Sequence, residues 1–290
     1  MNGIIVIDKP KGRTSHDMVS FMRRMTHIRR IGHTGTLDPM ATGVLPVCIG
    51  SAAKAADMLT LSDKCYRAEL ILGRTTTTLD SEGEITGEYE VSVTDDEIRG
   101  AILGFVGEIE QIPPMYSAIK RDGKKLYELA REGVEIEREP RRVTINSIDI
   151  AEIDGSRIVI DVSCSKGTYI RTLCDDIGKR LGTGAYMSAL RRTKTGCFTL
   201  ENAYTTEQIE EMAEGGRLEA ALTSVDALFG CYDAIYLNEK QTRSIKNGVR
   251  MSWRGKREGQ LLRLYDNNRQ FICVSQIENE RLKLVKSFWS

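Results

Sequence analysis

The sequence offers little to several common kinds of chemistry. Its seven cysteines, at 48, 65, 164, 174, 197, 231 and 273, never stand as C-x-x-C, the spacing that structural zinc and thiol redox pairs use. They read as buried, reduced thiols. The three histidines, His16, His27 and His33, crowd the N-terminal segment without H-E-x-x-H or any Cys/His grouping at ligand spacing, so no metal is expected. The opening MNGIIVIDKP lacks a basic n-region and has four consecutive apolar residues before Asp8. That is too few for a secretory leader or a membrane span, and a cytoplasmic chain with no membrane partner is expected. Gly182-Thr183-Gly184 lacks the third glycine of a dinucleotide fingerprint and follows a helical pattern rather than a strand, which sets aside a nucleotide-cofactor enzyme. There is no internal repeat and no low-complexity tract.

What is present suits a globular protein of 290 residues, enough for one large core with a small appended domain. Net charge is zero, yet the charges are segregated. Lys9 to Arg30 holds seven basic residues against one acidic, Lys240 to Gln270 nine against two, and Asp80 to Glu110 ten acids against one base. Such a chain can present one basic face to phosphates and an acidic back, or simply solvated helix faces.

Along the N-terminal half, the patterning predicts a strand at Ile4 to Ile7 and a helix from the capping box Thr14-x-x-Asp17 to about Met25. A strand at Val44 to Ile49, a helix at Ser51 to Leu61 and a strand at Tyr66 to Leu72 follow. Gly73 to Gly87 reads as turns, and Thr94-x-x-Glu97 opens a helix ending near Gly104. Residues 111–142, punctuated by Pro113-Pro114, Gly123, Gly133 and Pro140, read as a projecting insertion with one short helix around Lys124 to Arg131. Strands at Val143 to Ile150 and Ile158 to Ser163, then helices at Tyr169 to Leu181, Thr206 to Met212 and Leu218 to Phe229, complete residues 1–231. Residues 232–290 change to short alternating runs at Leu261 to Tyr265, Phe271 to Val274 and Leu282 to Val285, the pattern of a small β-rich domain.

The richest segment runs from Gly32 through His33, Gly35, Leu37, Asp38 and Pro39 to Gly43, and sets one carboxylate among three glycines and a proline. Glycine permits close backbone approach, and Pro39 holds Asp38 out of αR geometry. Composition alone favours a plain turn. The whole chain from 9 to 192, however, resembles the tRNA pseudouridine-55 synthases. Lys9-Pro10-Lys11-Gly12-Arg13-Thr14-Ser15 matches their K-P-x-G-x-T-S element, and Leu37-Asp38-Pro39 their central G-x-L-D-P. Pro113 to Lys120, with Gly123 and Tyr127, matches their RNA-gripping insertion, Ser165 to Arg171 their S-K-G-T-Y-I-R, and Leu190-Arg191-Arg192 their closing L-R-R. One departure is Thr77, which stands at the first aspartate of the family's G-x-x-T-D-T-x-D, while Asp80 keeps the second.

The resemblance implies an α/β (α+β) fold, with a mixed, mostly antiparallel sheet as core and a small β-barrel-like (PUA-like) domain after about residue 232. It implies isomerisation of a uridine in the T-loop of tRNA by a single chain, with no cofactor and no protein partner. Asp38 is then the essential carboxylate, Arg171 its orienting partner in place of an ordinary exposed helix arginine, and Tyr66 the ring that stacks on the target base. A phenol titrating near ~10 could act as a base only with water excluded. His33 would fill the space left by the extruded base and Tyr169 would wall the site. Gly35, Leu37, Asp80, Leu190, Lys9, Lys120 and Arg191 are the remaining substrate-binding candidates. A non-catalytic tRNA-binding or folding protein is the alternative, and Asp38 argues against it, because binding alone gains nothing from a negative charge facing phosphates. The basic runs predict that affinity for tRNA falls steeply with salt, each neutralised phosphate adding ~0.7–0.9 to the log–log slope. A flat titration between low and physiological salt would reject the basic face.

Overall fold

The structure is a computed structural model that describes residues 1–56, 60, 62–121 and 123–289, the side chains of Lys120 and Arg121 excepted. Strands run in chain order as β1 Gly3–Lys9, β2 Ile31–His33, β3 Thr42–Ile49, β4 Lys64–Leu72, β5 Arg74–Thr76, β6 Ile85–Glu88, β7 Gly107–Gln111, β8 Lys120–Arg121 and β9 Lys124–Lys125. They continue as β10 Arg141–Asp154, β11 Arg157–Cys164, β12 Ala185–Thr195, β13 Phe198–Thr199, β14 Ala203–Tyr204, β15 Asp233–Tyr236, β16 Leu261–Tyr265, β17 Phe271–Glu278 and β18 Arg281–Ser287. A ten-stranded sheet has the order β14-β1-β3-β12-β4-β11-β10-β7, with β2 on β3 and β13 on β12. Its pairs are antiparallel except β1 with β14 and β3 with β12, so the mixed, mostly antiparallel core is as expected.

Alternation within β1 and β3 gives the sheet two buried faces. Ile5, Ile7, Leu45, Val47 and Ile49 join the main core under helices Ser15–Thr26, Asp95–Leu103 and Ile170–Leu181. Ile4, Val6, Val44 and Cys48 point the other way, into a cluster with Phe229, Val274 and Phe288. The last two belong to the C-terminal segment, where β15-β16-β17-β18 form a small sheet. Helix starts follow the capping logic: Thr14 with Asp17, Thr94 with Glu97 and Thr205 with Gln208 each close a reciprocal box.

Several elements depart from the sequence reading. Gly73 to Gly87 is no loose turn: β5 and β6 pair as a ribbon. Thr77 closes it, donating its backbone N–H to the Glu84 carbonyl and accepting a hydrogen bond from the Glu84 N–H on its hydroxyl. Gly50–Ala55 is a 3₁₀ turn rather than the start of a regular helix, and residues 57–59 and 61 of the expected Ser51 to Leu61 helix lie outside the described residues. Leu218 to Phe229 is two 3₁₀ turns, Leu218–Ala221 and Val225–Phe229. Between them Thr223 exchanges both backbone hydrogen bonds with Ile4, which withdraws those groups from any helix. Strand β12 and helix Glu239–Lys246 had no counterpart in the patterning, because β12 carries Arg191, Arg192 and Lys194, and the helix buries only Thr242 and Ile245.

Since Phe229 packs against Phe271 and Phe288, Phe229→Ala should cost about 3–5 kcal/mol in urea unfolding. A loss below about 1 kcal/mol would show that the C-terminal sheet is not held by this shared cluster.

Candidate active site

The Asp38 segment is fastened by interactions with residues far from it in sequence. From the N-terminal element, Lys9 Nζ donates to the carbonyls of Pro10, Pro39 and Ala41 at 2.9, 3.2 and 2.6 Å. Gly12 N–H donates to Pro39, and the Ser15 hydroxyl accepts from the Leu37 N–H at 2.8 Å. Leu37 itself is buried in the main core. Further along, β3 leaves the loop beside β12, where Gly43 opposes Arg192. Gly43 has φ +100°, and a Cβ there would lie 2.2 Å from the Arg192 carbonyl oxygen. No other residue fits both demands. Two distant sequence motifs are thus one structural unit.

Arg171 enters from the first turn of helix Ile170–Leu181, whose preceding residue, Tyr169, is fixed by Gln111 through both its backbone N–H and its carbonyl. The guanidinium is buried and fully engaged. Nε meets Asp38 Oδ2 at 3.0 Å and Nη1 meets Asp80 Oδ2 at 3.4 Å, while Nη1 and Nη2 donate to the carbonyls of Thr78 at 3.0 Å and Tyr116 at 2.8 Å. Asp38 keeps 35% of its side-chain surface accessible against 4% for Asp80. Burial raises the Asp38 carboxyl above the usual carboxylate range, Arg171 pulls it back down, and Asp80 adds to the rise. Asp38 is thus the accessible partner of Arg171, a carboxylate whose negative charge is costly in its surroundings and steadied by that arginine.

Tyr66 is buried in the same core, on β4, in register with Arg192 of β12. Burial pushes its phenol up, opposed by the Arg192 charge, so it stands as a neutral ring. Tyr169 is likewise held up by burial, with Ser117 acting on its phenol in the opposite sense. His33 ends β2 half-buried. Its Nδ1 accepts from the Gly35 N–H at 3.4 Å, and burial together with Arg192 lowers its pKa, keeping the ring neutral. Gly35 contributes its carbonyl to Arg192, and Leu190 lies in the core beside β4.

Three candidates take other places than expected. Lys9, a substrate-binding candidate, is wholly buried with all three of its donors on carbonyls of Pro10, Pro39 and Ala41, and burial lowers its pKa to about 8; it braces the loop. Asp80 is buried against Arg171, and its Oδ1 accepts from the Thr78 hydroxyl and the Glu82 N–H, so its carboxylate is engaged within the protein. Arg191 pairs with Asp8 at 2.7 Å and reaches Thr42, away from Asp38. Its neighbour Arg192 is the one turned to Tyr66, as strand alternation along β12 would have signalled. The Lys120 side chain lies outside the described residues. Gln111, Ser15 and Arg192 were not singled out by sequence, although Ser15 and Arg192 each stood within a recognised motif.

The fold matches chains of two solved complexes. The crystal structure of a Cbf5-Nop10-Gar1 complex gives a TM-score of 0.75 at 25% identity over 99% of this chain and 85% of that one. That of the archaeal box H/ACA sRNP Nop10-Cbf5 complex gives 0.73 at 24%, over 99% and 86%. The sequence supplies the chemistry. Residues 23–170 match the TruB family pseudouridylate synthase N-terminal domain, 171–229 the tRNA pseudouridylate synthase B C-terminal domain and 234–283 the pseudouridine synthase II TruB C-terminal domain. A sheet of this topology with such matches along its length defines an isomerase that converts uridine to pseudouridine. Among similar proteins are tRNA pseudouridine synthase B of Alkaliphilus oremlandii, 51% identical over 87% of this chain and 83% of its own, and that of Clostridium perfringens, 44% over 99% and 98%. The chain belongs to the TruB family of pseudouridylate synthases.

Among the described residues no helix is long and apolar enough to cross a membrane. Because Asp80 and Arg171 are both buried, Asp80→Ala should lower stability by about 3 kcal/mol or more in denaturant titration. A loss under about 1 kcal/mol would show that Asp38 and the two carbonyls hold Arg171 without it.

Proposed function

We propose that this enzyme isomerises uridine 55 in the T-loop of tRNA, acting as a single chain in the cytoplasm without a cofactor, with Asp38 as its nucleophilic carboxylate. The observation that carries the reading is the Arg171–Asp38 pair, which leaves one oriented carboxylate accessible in an otherwise buried network. The names of the relatives, tRNA pseudouridine synthase B, support tRNA as the substrate.

The reaction breaks the N1–C1′ bond, turns the uracil while it stays bound, and joins C5 to C1′; the C5 proton leaves and N1 gains one. No net oxidation occurs. A carboxylate beside the anomeric carbon meets the positive charge that develops there, as in retaining glycoside hydrolysis. To reach it, the uridine must leave its stack at a cost of a few kcal/mol. The neutral His33 ring suits the vacated space, and Tyr66 and Tyr169 offer aromatic faces to the extruded base. Residues 111–142 suit a grip on the tRNA backbone, and the Tyr116 carbonyl ties that insertion to Arg171. Residues 232–290 read as a second RNA-binding domain beside the catalytic residues 1–231.

Asp38→Asn should lower turnover at saturating tRNA by at least about 10³-fold while leaving affinity within about threefold, because a charge is lost with little change of volume. In the wild type the rate should rise with pH as Asp38 ionises. The carboxyl is raised by burial, so the midpoint should lie above the ordinary aspartate value of about 3.9. Mapping pseudouridine by position in unmodified tRNA reads both site and rate. Turnover within about tenfold of wild type in Asp38→Asn would sink the carboxylate mechanism, whereas tRNA binding by the wild type with no pseudouridine formed would favour the binding-only alternative.

A further inference from the structure

Arg192 is the largest fully buried side chain among the described residues, 1% exposed, and none of the ion pairs among them includes it. Its surroundings are themselves basic. Lys9, Lys64 and His33 each feel its charge as one that disfavours their protonated forms. A fold gains little from an arginine placed so, since taking a guanidinium from water without a carboxylate is unfavourable and like charges add to it.

Its contacts point to another use. Nε donates to the Val44 carbonyl at 2.7 Å and Nη2 to the Gly35 carbonyl at 3.3 Å, so one side chain spans both ends of the segment that carries Asp38. Its backbone meets Gly43 in parallel register, and across the antiparallel pair it stands opposite Tyr66, on whose phenol its charge acts. Of the other groups around that phenol, Cys164 is held neutral by burial, its thiol pushed up to about 11. Of the groups acting on that phenol, Asp38 and Arg192 carry charge.

We infer that Arg192 is a positioning residue for the isomerisation: it holds the Tyr66 ring and the Asp38 loop in mutual register and places a fixed positive charge behind the departing uracil. This rests on the reaction proposed above. When N1–C1′ breaks, the bonding pair leaves with the base, which carries negative charge until C5 attacks C1′. Asp38 answers the positive carbon and Arg192, through Tyr66, the negative ring. A charge fixed in a dry site stabilises such an intermediate far more than one free to move in water.

The test compares Arg192→Met, Arg192→Lys and Asp38→Asn on an unmodified tRNA transcript, following tritium released from uridine C5. Arg192→Met should lower saturated turnover by about 10²–10³-fold with the half-saturating tRNA concentration changed less than about threefold, and Arg192→Lys should recover at least about tenfold of that loss. In the free enzyme the ¹³Cζ resonance of Tyr66, assigned with Tyr66→Phe, should move in both Arg192 variants. Wild-type turnover in Arg192→Met, a loss confined to half-saturation, equal losses in the two variants, an unmoved Tyr66 resonance, or failure of Arg192→Lys to fold by circular dichroism would each assign Arg192 to the fold alone. An inactive Asp38→Asn beside an active Arg192→Met overturns only this inference, whereas an active Asp38→Asn overturns the reaction beneath it.

Discussion

The arrangement depends on one buried cation. Arg171 lies in the first turn of a helix, where the backbone dipole disfavours positive charge, and within a core that excludes water. Both penalties are met by two carboxylates and two carbonyls, drawn from the Asp38 loop, the ribbon-forming segment at Thr78 and Asp80, and the insertion at Tyr116. Each of these three segments is irregular or weakly paired by itself. Satisfying one guanidinium is what brings them to a common point, and the accessible carboxylate is the one left facing outward.

That convergence sets the electrostatics of the site. Asp80 is spent inside the network and works against the ionisation of Asp38, while Arg171 and Lys9 favour it. Burial is the largest influence and raises the carboxyl. A carboxylate kept charged against its surroundings is more reactive toward a developing cation than one bathed in water, because no solvent shell must first be shed. The same burial keeps Tyr66 and Tyr169 protonated.

Much of this was legible in the sequence where interactions are local. The Thr14–Asp17 and Thr94–Glu97 boxes, the strands around Ile4 and Tyr66, and the glycine-flanked Asp38 segment all declare themselves within a few residues. What was hidden depends on partners far along the chain. Thr223 looked helical because nothing nearby reveals its pairing with Ile4. Lys9 and Asp80 looked available to a ligand because residue type does not reveal three waiting carbonyls or a buried guanidinium. Arg191 and Arg192 are identical in type, and only the pleat of β12, itself masked by three basic residues, sends one toward Asp8 and the other toward Tyr66.

The parallel contact between β3 and β12 joins Thr42 to Arg191 and Gly43 to Arg192, with Val44 bound to Arg192 at a separation of 148 positions in sequence. During synthesis the N-terminal loop therefore leaves the ribosome long before the strand that secures it. A nascent chain shorter than about residue 192 holds every atom of the Asp38 loop but lacks its far anchor, and late closure of so long a loop is slow. The loop can therefore reach its anchored geometry only after Arg192 has been made.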